Sequence, residues 1–246
     1  MGGGMRKMLR RIGSWAADGL FPRGACCLCC GDPRRADEED GLCDKCRGRL
    51  EELRVPASAC EKCLSPVKKG ERCAFCKSPA MRDVGAVYAP YRYQAEARRL
   101  VHAFKFHSCG EAGTLLGRET ADALRDTDFD WIVPVPLHPR RLRRRGFNQA
   151  LLLGAEISRR TGIPVRDVLR RDRYVKPQSR MPFGKRQKNV AGAFSCPEDL
   201  TGKRILLVDD VRTSGSTAAD CARALKEAGA AKVCLAVSAV VYRRSK

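Results

Sequence analysis

The 246-residue sequence has no apolar run approaching the length of a membrane span. Its N-terminus lacks the apolar core and cleavage site of a secretory signal. Gly2 does not make a myristoylation motif, because Arg6 stands where Ser or Thr is needed. A cytoplasmic protein is the expectation, and there paired cysteines serve as metal ligands rather than disulfides. No G-x-x-x-x-G-K-[ST] loop occurs, which removes nucleotide hydrolysis of the P-loop type. Histidine is scarce, at three residues, and His102 and His107 have no ligand spacing to anything nearby. Acidic residues are nearly missing from one segment. Between 131 and 190 there are sixteen Lys and Arg against three Asp and Glu, so most of the net charge of +20 sits there. Ordinary surfaces mix both signs, so this imbalance implies a polyanionic partner, either a pyrophosphate or a nucleic acid.

What the chain has in excess is cysteine: fourteen, of which ten precede residue 77. They form four Cys-x-x-Cys pairs, Cys27/Cys30, Cys43/Cys46, Cys60/Cys63 and Cys73/Cys76. Two intervening residues let one turn aim both thiolates at a single tetrahedral ion, and a second such knuckle completes a structural zinc site. Cys26 and Cys29 overlap the first pair; Gly31 after Cys30 favours Cys27 and Cys30 as ligands and leaves the other two spare. The spacing leaves open whether the pairs are used in order or interleaved, and whether one or two ions bind. A redox role is disfavoured by four tandem pairs outside a strand-and-helix context. Residues 5–20 space their apolar side chains as a basic amphipathic helix, better suited to packing on its own protein than to a membrane surface. The expected division is a helix in 1–25, a zinc ribbon, single or double, in 26–80, and an α/β unit in 81–246.

In that unit, 84–89, Trp131–Pro136, Val165–Leu169, Ile205–Val208 and Val233–Val241 read as strands. Ala95–Phe104, Ala112–Leu124, Ala150–Arg160 and Ala218–Ala228 read as helices. Leu137–Arg145 reads as a basic loop, and Arg170–Val190 as a long cationic loop able to cover an anionic ligand. Lys105, flanked by aromatics, reads as an ordinary surface lysine with a cleft role as the lesser alternative. The most informative stretch is Ile205-Leu206-Leu207-Val208-Asp209-Asp210-Val211-Arg212 followed by Thr213-Ser214-Gly215-Ser216-Thr217. An apolar run of this kind suits a strand buried on both faces of a parallel sheet, whose C-terminal edge is where such sheets hold ligands. Hydroxyls and backbone N–H groups at a helix start hold a phosphate; adjacent carboxylates suit sugar hydroxyls or a divalent cation.

These residues resemble the phosphoribosyl-pyrophosphate (PRPP) motif of type I phosphoribosyltransferases. Val133–Leu137, Arg145–Gln149, Pro177-Gln178 with Arg186 and Asn189, Gly192–Phe194 and Gly202–Arg204 follow in the order seen in the ComF family, whose N-terminal ribbon the cysteine pairs also resemble. The resemblance implies a type I phosphoribosyltransferase fold, a mostly parallel sheet flanked by helices. It implies that Asp209 and Asp210 hold the ribose hydroxyls, that Thr213, Ser214, Gly215, Ser216 and Thr217 hold the 5′-phosphate, and that Arg140, Arg145, Lys176 and Arg186 attend the pyrophosphate. Mg²⁺ would ride on the PRPP. The family's association with competence implies DNA uptake as the setting and single-stranded DNA and the competence machinery as partners. Two functions follow, a phosphoribosyltransferase of unknown acceptor and a non-catalytic adaptor that binds single-stranded DNA. Arg212 departs from the motif, which commonly has an apolar residue there.

Overall fold

A computed structural model describes residues 26–33, 40–67, 73–78, 81–106, 110–171 and 192–242. The expected N-terminal helix, Lys176 and Arg186 lie outside them. The described elements run α1 (Asp44–Glu51), β1 (Val87–Tyr88), β2 (Tyr91–Arg92), α2 (Ala95–Phe106), α3 (Gly110–Asp122), β3 (Trp131–Pro134), α4 (Pro139–Arg145), α5 (Gln149–Thr161), β4 (Arg170–Arg171), β5 (Phe194–Ser195), β6 (Arg204–Arg212), α6 (Ser216–Glu227) and β7 (Lys232–Val240). The main sheet has the order β1-β7-β6-β3, with β2 continuing the β1 edge alongside β7, and every pairing in it is parallel. The expected α/β sheet is therefore present.

Parallel strands need both faces covered, and the sequence supplies the cover. Residues Ile205 to Val208 of β6 are fully buried and alternate between two cores. Leu206 and Val208 face α2, α3 and α5, through Leu100, Phe104, Leu116, Leu153 and Ile157. Ile205 and Leu207 face α6, through Cys221, Ala222 and Leu225. Small residues let the helices approach closely: a Cβ on Gly117 would stand 2.6 Å from Glu156 Cβ, where α3 crosses α5.

Four sequence expectations change. The strand read at 84–89 is shorter, and Ala89-Pro90 interrupts the edge between β1 and β2. The strand read at Val165–Leu169 reduces to one parallel bridge, Val165 with Ile132, because Val168 and Leu169 turn in to the α6-side core. Its successor β4 pairs with β5 in a separate antiparallel ribbon. The basic loop at Leu137–Arg145 contains a helix, α4. Pro139 takes its first turn, His138 Nδ1 accepts the Arg140 N–H at 3.1 Å, and Gly146 closes it in the left-handed conformation (φ 80°). Finally β6 does not stop at Val208: it runs to Arg212, so the two aspartates lie within the strand.

The cysteine segment packs directly on the free edge of the sheet. Val55 N–H donates to the Pro90 carbonyl (2.9 Å), Arg92 N–H to Leu53 (2.8 Å) and Val87 N–H to Lys62 (2.8 Å). An exposed strand edge invites association with another chain, and these bonds cover it. No helix among the described residues is long and apolar enough to cross a membrane.

Candidate active site and metal centres

Asp209 and Asp210 sit at the C-terminal end of β6, and strand alternation sends their side chains to opposite faces. Asp210 Oδ2 meets Lys105 Nζ, from the last turn of α2, at 2.8 Å, each side chain 17% exposed. Lys105 thus pairs with the second aspartate, as the lesser of its two readings, a cleft lysine, would have it. Phe104, buried in the core, anchors the helix end that carries the lysine. Asp209 faces the α6 side, among Cys221, Arg171 and the backbone of the next residue: Asp210 N–H donates to Asp209 Oδ1 at 2.8 Å. Burial, and then the neighbouring Asp210 charge, push the Asp209 carboxyl up to about 7; the Asp210 N–H, Lys105 and Arg171 oppose the shift.

The loop after β6 turns on Gly215, at φ 75°, which serves as the N-cap of α6 without a side chain. Gly215 offers no capping oxygen, but Ser216 N–H donates to Ser214 Oγ at 3.4 Å; a helix start of this kind, with hydroxyls around it, suits an anion. Ser214 is buried, and its Oγ lies 2.8 Å from Ser216 Oγ, which fixes the loop's curvature. Asp209, Thr213, Gly215, Ser216 and Thr217 line one cavity at this edge. The structure thus brings Asp209 together with Thr213, Gly215, Ser216 and Thr217, while Asp210 turns to Lys105 on the opposite face.

Of the expected pyrophosphate residues, Arg140 and Arg145 lie within the described residues. Arg145 Nη1 donates to Gln149 Oε1, at the start of α5, at 3.1 Å. Arg140 stands on α4 with Arg141 and Arg143, and with Arg171 from β4 they lower the His138 pKa by repulsion, after desolvation. Arg171 was not singled out from the sequence. It stacks over the Phe194 ring at 5.1 Å, and burial, then repulsion from Arg141, lower its pKa against the pull of Cys221, Asp209 and Asp220. A guanidinium held between a carboxylate and another guanidinium is a cation placed where an anionic ligand would relieve it. The chain leaves β4 at Arg171 and returns at Gly192. At that return Asp220 of α6, 5% exposed, accepts from Gly192 N–H (2.9 Å) and Ala193 N–H (2.8 Å).

The eight cysteines fall into two groups, Cys27, Cys30, Cys43, Cys46 and Cys60, Cys63, Cys73, Cys76, each with its sulfurs within 4.8 Å of one another. The pairs are used in order. In a tetrahedral site with Zn–S of about 2.3 Å the sulfurs stand about 3.8 Å apart. Cys30 and Cys43 are 3.9 Å apart, Cys60 and Cys76 3.5 Å, and Cys63 and Cys73 3.4 Å. Both groups could hold zinc. In each, burial raises one thiol that backbone N–H groups outweigh, bringing Cys27 and Cys60 down to about 7. Burial and the neighbouring cysteines push Cys46 and Cys76 up instead. Four thiols at such contact cannot all ionise unaided, and a dication removes that obstacle. Cys29 stands outside the first group, its Sγ 3.8 Å from the Glu96 carbonyl. The first group packs with α1 against the α2–α3–α5 core, the second against the α6 core.

A family model described as "Phosphoribosyl transferase domain" matches residues 148–246. The DNA utilization protein YhgH of Escherichia coli (strain K12) is 33% identical over 206 residues, 78% of this chain and 87% of that protein. Competence protein F of Haemophilus influenzae is 27% identical over 216 residues, 79% of this chain and 88% of that protein. The chain belongs to the ComF family. Its fold is that of the type I phosphoribosyltransferases, with β6 and α6 of this ComF protein inside the matched region. Among solved structures, the Bacillus subtilis glutamine PRPP amidotransferase is 26% identical over 50% of this chain and 25% of its own, with a TM-score of 0.36.

Proposed function

We propose that this ComF protein binds Mg·PRPP at the end of β6 and acts as a phosphoribosyltransferase-like protein associated with DNA uptake. The observation that carries the reading is the cavity shared by Asp209 with Thr213, Gly215, Ser216 and Thr217. A ribose 5-phosphate has a phosphate at one end and vicinal hydroxyls at the other. The turn offers N–H groups and hydroxyls to the first; Asp209 and Asp210 offer acceptors to the second. Arg171, which feels the charges of Asp209 and Arg141, supports a pyrophosphate on that side, and Lys176 and Arg186 belong to the segment between β4 and β5. Mg²⁺ carried on the pyrophosphate would neutralise its charge and weaken the bond to the anomeric carbon. The protein's share is then positioning and electrostatics: it holds the ring by its hydroxyls, balances the leaving charge with cations, and needs no nucleophile of its own. The names of relatives, a DNA utilization protein and a competence protein, support the DNA-uptake setting.

A second reading, an adaptor that binds single-stranded DNA, is favoured by the crowding of Arg140, Arg141, Arg143 and Arg171 around His138. One experiment separates the two. Calorimetry with Mg·PRPP on the zinc-loaded protein should show one site per chain, and Asp209→Asn with Asp210→Asn should weaken it at least tenfold while leaving oligonucleotide affinity unchanged or higher. Absence of PRPP binding in the folded wild type, with salt-dependent oligonucleotide binding retained, would leave the adaptor in possession.

A further inference from the structure

The phosphate loop and the second four-cysteine group are joined by one side chain. Arg212 is the last residue of β6, directly precedes Thr213 and lines the same cavity, yet it is 3% exposed and its guanidinium reaches back to the cysteine segment. Its guanidinium carbon stands 4.6 Å over the ring of Phe75, which lies in the turn between Cys73 and Cys76. Its Nη2 donates to Ser65 Oγ at 3.4 Å. Ser65 closes the other knuckle: Cys60 N–H donates to its carbonyl at 2.9 Å, and the residue hydrogen-bonds the Cys63 thiol. One arginine therefore touches both knuckles of a four-cysteine group. The two knuckles also meet through sulfur contacts, Cys60 to Cys76 and Cys63 to Cys73, which bound zinc would fix. This also answers the departure at position 212: an apolar residue there could not bridge two polar turns.

We propose that Arg212 is a positioning residue that couples metal occupancy of the Cys60/Cys63/Cys73/Cys76 group to the order, and hence the ligand affinity, of the Thr213–Thr217 loop. The coupling to affinity rests on the reading of that loop as a phosphate site; the coupling to order does not. With zinc bound, Ser65 and Phe75 are held at a fixed separation, and the planar guanidinium between them holds the end of β6. Without it the knuckles part, Arg212 loses one wall, and the strand end frays into the loop. The coupling must be reciprocal, so a ligand on the loop should slow loss of this zinc and not the other.

Amide hydrogen exchange of the peptide spanning 211–217 tests this on the full-length, two-zinc protein. Cys73→Ser with Cys76→Ser should speed exchange there about fivefold or more, the scale of ordinary site-to-site coupling, while α3 and the first cysteine group are unchanged. Arg212→Met should give the same increase with both zinc ions still present by mass spectrometry, and combining the changes should add little. Should the cysteine variant unfold, Arg212→Met decides, for it leaves all eight thiols intact: loop exchange like that of the wild type overturns the proposal. Equal zinc release to a chelator with and without PRPP, in a protein that binds PRPP, also overturns it. Faster loop exchange in a protein that never binds PRPP would instead remove only the phosphate-site reading.

Discussion

At the scale of single residues, Asp209 makes a pH-dependent prediction whose direction follows from its surroundings. Its carboxyl titrates at about 7 in the fold against 3.8 in the free chain, raised by burial and by Asp210 and restrained by Lys105 and Arg171. The folded protein thus keeps a proton that the unfolded chain gives up above about pH 4, and this site's contribution to stability declines as pH rises from about 4 to about 7. Ligand binding runs the other way, because a ribose hydroxyl needs an acceptor. PRPP affinity should rise by up to about tenfold per pH unit below 7 and level off above it. Calorimetry at pH 6 and 8 checks this; a flat profile removes Asp209 from the ribose site. Asp209→Asn should flatten the dependence, and Lys105→Met, which takes away a charge favouring the ionised form, should move it to higher pH. The aspartate pair was legible in the sequence because adjacent carboxylates at the end of an apolar run have few structural uses. Lys105 was not, since a lysine between two phenylalanines is equally at home on a surface, and only the helix end's direction distinguishes the two.

Among the elements, those whose burial is periodic were the readable ones. β6 and β7 each hold a long apolar run and α5 and α6 carry one apolar stripe each, so hydrophobic pattern alone located them within a few residues. Pattern failed where end signals or distant partners decide. Leu137–Arg145 has little to bury, and its helix rests on caps: proline at the start, a histidine acceptor, a left-handed glycine at the stop. Val165–Leu169 has strand composition, but after its bridge to Ile132 the chain turns inward. Asp220 shows what such distant ties are worth. It lies in α6 yet holds the backbone entering β5, and Arg223 Nη2 also donates to it at 3.0 Å. Replacing it by Ala strands the buried Ala193 N–H and the more exposed Gly192 N–H, and at about 1–3 kcal/mol for an unsatisfied buried donor, with less for the one water can reach, the variant should lose about 2–4 kcal/mol in urea unfolding. An Asn should recover part of that, since its single carbonyl can accept one of the two bonds. A loss under about 0.5 kcal/mol would mean that the β5 entrance is held elsewhere.

For the whole molecule, the question is whether residues 26–80 are a separate unit, as the cysteine clustering suggests, or part of one cooperative structure. Composition could not decide it, because the contacts that matter are backbone hydrogen bonds made by Leu53, Val55 and Lys62 to the sheet edge, and such bonds leave no trace in residue type. The two cysteine groups also enter different cores, the first joining Leu100 and Phe104, the second joining Leu207 and Leu225. Removing the metals should therefore do more than melt the ribbons. It should uncover β1 and β2, expose apolar surface on both faces, and lower the stability of the whole sheet. In a protein of this size each kcal/mol lost shifts the midpoint by about 2–4 °C, so losing even about 5 kcal/mol of metal-linked stability should lower it by about 10–20 °C. Thermal scans with and without a chelator, read by far-ultraviolet circular dichroism, give the measurement, and the bared edge should make the apo protein aggregate. Two separate transitions, with the upper midpoint unmoved by the chelator, would instead divide the chain near residue 80. A single shifted transition means that the cysteine segment and the phosphoribosyltransferase fold are stable only together, and that metal supply sets how much of this protein is folded.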